Sequence, residues 1–161
     1  FISSENVQNY RPNNEVFHTS FEDTPGRFYT NMAKTGQYVH VGSYSIPDDY
    51  FSSDAAHHTL TYWKSEDQGE SWEKVTTTSA NRYNLRNITV PAGCWVDEIR
   101  LIPSDARMTT YTYRPGAGKT SEMDHNGRVT YWEYDDFGRL VRVRDNDRNI
   151  VKQYEYNIAS N

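Results

Sequence analysis

The sequence predicts an all-β chain, an antiparallel jelly-roll β-sandwich followed by β-hairpins packed against it. Three observations predict this. Thirteen Tyr, four Trp and six Phe make 14% of the residues aromatic, and aromatic and β-branched side chains suit pleated, half-buried surfaces. No segment keeps a helical period over three turns, whereas short alternating runs recur about every ten residues with turn residues between them. Finally, residues 106–157 repeat themselves at a period of about 21 residues, which marks one supersecondary unit copied along the chain.

Residues 1–12 read as an extended polar lead-in, ending close to Pro12-Asn13-Asn14. Residues 13–105 form the sandwich. Glu15 to Glu22 alternates, and Asp23-Thr-Pro-Gly26 turns the chain. Tyr38–Val41 is a short strand, Ser43–Ile46 another, and Tyr50 to Asp54 a loop. His58–Lys64 and Ser71–Thr78 make a hairpin around Gln68-Gly69, with Leu60 and Tyr62 on one face and Trp63 on the other. Asn84–Val90 and Trp95–Pro103 complete the set across Pro91-Ala-Gly93. Seven or eight such strands predict two packed antiparallel sheets. No Gly/Ser linker separates this part from residues 106–161, so the two parts are expected to dock.

The repeat half aligns Tyr113, Tyr134 and Tyr156, then Gly118 with Gly138, Asp124 with Asp145, and Gly127 with Arg148. Val129–Tyr134 and Leu140–Arg144 are its clearest strands. Tyr134-Asp-Asp-Phe-Gly-Arg-Leu140, followed by Asp145 and Tyr154-Glu-Tyr156, resembles the YD repeat of the Rhs family, over about a third of the chain. Departures are Arg114 and Lys119 in the first unit and Arg148 where the second turn wants Gly. The resemblance implies a non-catalytic module of a large bacterial protein, secreted or displayed at the cell surface, with the rest of its own polypeptide as partner. The alternative is a purely structural spacer or shell segment presenting or enclosing another domain; a glycan-active enzyme ranks third. Two units fall short of a self-supporting array, so the hairpins are expected to borrow stability from the sandwich.

Ser20-Phe-Glu-Asp23, Leu60–Lys64 and Asp97–Leu101 resemble the galactose-binding-like jelly rolls of carbohydrate-binding modules. That resemblance implies carbohydrate binding through exposed aromatic residues, for which Trp63, Trp72, Tyr50 and Phe51 are the candidates; the alternative, which is the commoner fate of such rings, is that they complete the core or the interface with the repeats. It also implies a structural calcium ion held by Glu22 and Asp97. Period two in Trp95–Leu101 places Asp97 on one face with Trp95, Ile99 and Leu101. A carboxylate there needs hydrogen bonds or a cation; the alternative is that Asp97 caps a turn through backbone N–H groups.

The net charge of −5 argues against nucleic acid, whose binders present a basic face. No apolar run is long enough to span a membrane. The single Cys94 excludes an internal disulfide and reads as a small buried residue. Gly116-Ala-Gly-Lys-Thr120 resembles a phosphate-binding loop, but its first Gly is missing and no helix follows. The chain opens on Phe, which suggests a fragment or a processed product.

Overall fold

A computed structural model of the chain describes residues 2–3, 16–51 and 57–157. Among these the regular structure is strand and short 3-10 helix only, as the composition predicts. The strands are β1 (Ile2–Ser3), β2 (Phe17–Thr19), β3 (Phe28–Tyr29), β4 (Tyr38–Val41), β5 (Tyr44–Ser45), β6 (His58–Ser65) and β7 (Glu73–Ser79). They continue with β8 (Asn87–Ile88), β9 (Trp95–Pro103), β10 (Met108–Arg114), β11 (Gly118–Met123), β12 (Val129–Tyr134), β13 (Leu140–Arg144) and β14 (Ile150–Gln153).

The central strand is β9, whose first seven residues are all buried. Along one edge it pairs with β6 over its whole length, and along the other with β4 at Trp95–Val96 and β2 at Ile99–Leu101. With β3 beyond β4 and β7 beyond β6, these strands make one sheet. The small antiparallel pair β5–β8 covers one of its faces. Phe17, Phe21, Leu60, Tyr62, Val96, Ile99 and Leu101 pack against Ile46, Leu85 and Ile88 in the core between them. Each such side chain contributes about 1.5–3 kcal/mol on leaving water. The partition of β6 is as its alternation predicts, with Leu60 and Tyr62 in this core and Trp63 elsewhere.

Strict alternation fails in β9. Thr61 pairs with Arg100 and Trp63 with Asp97, so Tyr62 alone stands opposite two residues, Glu98 and Ile99. Glu98 adopts φ 50, a left-handed conformation that a β-bulge tolerates and a regular strand does not. Past the bulge the side-chain parity has shifted. Val96, Ile99 and Leu101 line the core, while Trp95 packs on Ala33 and Val39, and Glu98 and Arg100 turn toward β10. The expected company of Asp97 is thereby corrected: it is fully buried, but not on the face of Ile99 and Leu101.

The repeat half is a six-stranded sheet in the order β1-β10-β11-β12-β13-β14, antiparallel except for β1, which runs parallel to β10. Ile2–Ser3 of the expected lead-in is therefore an edge strand, while residues 4–15 lie outside the described residues. Likewise Asp48–Phe51 is a turn of 3-10 helix rather than irregular loop. Met108, Thr110, Thr112, Ser121, Met123, Val129 and Tyr131 form the buried face of this sheet. Met123, Val129 and Tyr131 pack on Trp63 of β6.

Candidate functional site

One carboxylate, Glu98, and one guanidinium, Arg100, organise the junction between the sheets. Arg100, 5% exposed, donates through Nη1 to the carbonyls of Asp124 (2.7 Å) and Met108 (3.3 Å). Its Nη2 donates to Met123 O at 2.7 Å and Thr110 Oγ1 at 2.6 Å. Glu98 accepts from Thr110 Oγ1 (2.9 Å) and Thr35 Oγ1 (2.7 Å), and its Oε2 lies 3.0 Å from His18 Nε2. Burial would raise the Glu98 carboxyl, but His18 and Arg100 outweigh it and hold the group below the usual carboxylate range. The bulge is what aims Glu98 at these partners.

Glu22 and Asp97 meet the same loop. Glu22 Oε1 accepts the amides of Gln37 (3.0 Å) and Tyr38 (3.3 Å), and Asp97 Oδ2 accepts that of Thr35 (3.1 Å). Burial pushes Glu22 up to about 7, and burial together with the neighbouring Glu98 raises Asp97 well above its ordinary value. No group of three or more His, Cys, Asp or Glu side chains among the described residues is placed to hold a metal. The two carboxylates thus meet one loop, whose amides satisfy part of their demand.

The three aromatic candidates whose side chains are described, Tyr50, Trp63 and Trp72, do not converge. Tyr50 packs edge-on against Phe17 beside the core, with ring centroids 4.8 Å apart. Trp63 lies on the opposite side of the sheet, against Met123, Val129 and Tyr131, with Lys34 Nζ 4.0 Å above its ring. Trp72 leans on Ala33, Val39 and Trp95. The Phe51 side chain lies outside the described residues. Trp63, read from alternation as facing outward, faces the repeat sheet instead, because that sheet covers this side of β6.

A cleft of about 570 Å³ opens at the margin of the junction. One wall is the segment from Arg27 to Tyr38; the other is built from the turns and strand ends of the repeat sheet, with Tyr113, Arg114, Tyr131, Trp132, Glu133, Tyr134, Arg144 and Arg148. Three turns of the repeat sheet share one construction. Asp124, Asp135 and Asp145 each accept two backbone amides through Oδ1, two and four residues on, at 2.9–3.0 Å. Each also closes the turn with a carbonyl bond from the residue three on, namely Gly127, Gly138 and Arg148. An Asp side chain mimicking a backbone turn, followed by a left-handed residue, explains why the motif needs Asp and Gly at that spacing. Residues 116–150 match the RHS Repeat family model. No curated protein and no solved structure gives a significant match.

Within the matched residues, Gly138 has φ 78, and a Cβ there would sit 2.6 Å from Gly116 O, so the neighbouring turn also demands glycine. Arg148 occupies the same left-handed niche at φ 65 without being glycine. Its guanidinium reaches across the junction to Ala33 O at 3.0 Å and lies 4.5 Å from the Tyr131 ring centroid. The Tyr131 hydroxyl crosses too, donating to Lys34 O at 2.9 Å. Sequence reasoning flagged Arg148 as a defect of the motif. Its contact with the sandwich spans 115 positions in the chain and leaves no local signal.

Proposed function

We propose that this chain is a non-catalytic module of a larger Rhs-repeat polypeptide, secreted or displayed at a bacterial cell surface, whose sandwich both braces the repeat sheet and binds carbohydrate. The observation that carries the binding is the junction cleft. It is open, roomy enough for a sugar unit, and walled by rings and hydrogen-bonding side chains, the combination that orients a saccharide. Tyr38, Tyr113, Trp132 and Tyr134 offer apolar faces, and the arginines and Glu133 offer donors and acceptors. On this reading the sugar binds at the junction cleft rather than on Trp63, Trp72, Tyr50 and Phe51. A glycan array with the whole chain is expected to give hits that Tyr113→Ala weakens and that survive without any turnover of the glycan. An array with no hits removes the binding role and leaves the spacer reading, which the extensive burial at the junction favours.

We also propose a calcium ion at the Arg27–Tyr38 loop, with Glu22 and Asp97 as its carboxylate ligands and main-chain carbonyls completing a loose oxygen shell. Two desolvated carboxylates facing one loop support it, since a divalent cation would stabilise their charged forms. At a hundredfold excess over its dissociation constant, calcium should raise the melting temperature by about 5–10 °C, and chelation should reverse this. No shift on chelation, and no heat in a calorimetric titration, would sink the site.

A further inference from the structure

Resting on the carbohydrate reading of the junction cleft, we infer that its ligand is an acidic saccharide, a pyranose carrying a carboxylate or a sulfate. The cleft wall holds four guanidinium groups, of Arg27, Arg114, Arg144 and Arg148, against two carboxylates, of Glu22 and Glu133. Glu133 is already engaged, accepting from Arg142 Nε at 2.6 Å and Arg144 Nε at 2.5 Å. Glu22 faces the amides of Gln37 and Tyr38.

The other three arginines are held differently. Arg27 donates to the Glu22 carbonyl, Arg114 Nη1 to the carbonyls of Tyr134 and Asp135 at 3.3 Å, and Arg148 Nη2 to Ala33 O. Carbonyls fix a guanidinium without neutralising it. Among the described residues none of the three makes an ion pair with a carboxylate. Each has five N–H donors, of which contacts among the described residues engage only one or two. Two of the three also lie over tyrosine rings, Arg27 at 4.1 Å from the Tyr38 centroid and Arg148 at 4.5 Å from that of Tyr131. Stacking fixes the plane of the fork that grips an oxyanion in bidentate fashion. Three positioned cations in a chain of net charge −5 make a local anion site on an acidic background, which disfavours indiscriminate attachment of polyanions.

Arg148 supplies the sharpest test, because glycine suits its φ of 65 and Arg148→Gly removes the cation while easing the turn. Affinity electrophoresis and calorimetry with the whole chain would compare polygalacturonate, dextran sulfate, neutral dextran and polyglutamate. Retention by polygalacturonate or dextran sulfate, lost with rising salt and weakened about tenfold in both Arg148→Gly and Arg114→Gln, is the expected result. Which of the two polymers binds identifies the anionic group. Binding of neutral dextran in preference overturns the acidic ligand and leaves the carbohydrate reading standing; no binding of any glycan overturns both. Equal retention by polyglutamate reduces the site to general polyanion attraction and refutes the saccharide. Unchanged affinity in both variants, with melting curves showing that they fold, likewise refutes it.

Discussion

Arg100→Met is expected to destabilise the chain by about 3–5 kcal/mol, the usual result of removing one member of a buried charge pair, here bridged through the Thr110 hydroxyl. The methionine can fill the volume but donates nothing. The carbonyls of Asp124 and Met123 lose donors at 2.7 Å, the second of them in a fully buried bond. Glu98, 1% exposed, loses its nearby guanidinium and keeps only His18 and two threonine hydroxyls. Urea titration should show a lower midpoint with an unchanged slope if the whole chain unfolds as one unit. Glu98→Gln in the same background should cost much less than it does alone, since the two side chains act as a pair. A loss for Arg100→Met below about 1 kcal/mol, the range of exposed ion pairs, would show that the network does not hold the junction together.

A fragment comprising residues 106–161 should show no cooperative melting transition. In the whole chain Met108, Met123, Val129 and Tyr131 are 0%, 1%, 2% and 8% exposed. Without the sandwich they would face water, a loss of about 6–12 kcal/mol at 1.5–3 kcal/mol per side chain. That equals the entire stability of an ordinary domain, about 5–15 kcal/mol. Thr110, Thr112 and Ser121, also in the buried face, add little apolar area of their own. Circular dichroism should follow a broad drift with temperature, with the Asp-based turns persisting locally because their hydrogen bonds span only a few residues. A sharp transition would refute the dependence of the repeat sheet on the sandwich.

Much of the architecture is legible in the residues because the forces that set it are local. Trp95–Pro103, Val129–Tyr134 and Leu140–Arg144 are strands with the bounds that their composition and flanking turns indicate. The sites were less legible. Glu22 and Asp97 could be paired from the sequence only by resemblance, and the Glu98 bulge, which turns Asp97 away from Ile99 and Leu101, follows from how β6 registers against β9. Nothing in Trp63 or its neighbours says that a second sheet lies over it. β3 and the parallel pairing of β1 with β10 were missed for the same reason, since strands of two residues gain their identity from a partner far along the chain.

By itself the sequence determined the all-β class, the period of the repeat, and the Asp turns that build it, because alternation and turn chemistry act within a few residues. Only the tertiary structure decided that Arg100 and Glu98 clamp two sheets, that Arg148 trades turn comfort for a reach to Ala33, and that a cleft opens where the sheets part. Burial and charge compensation depend on what the chain brings alongside, and residues such as Ala33 and Arg148 meet only when both halves are folded.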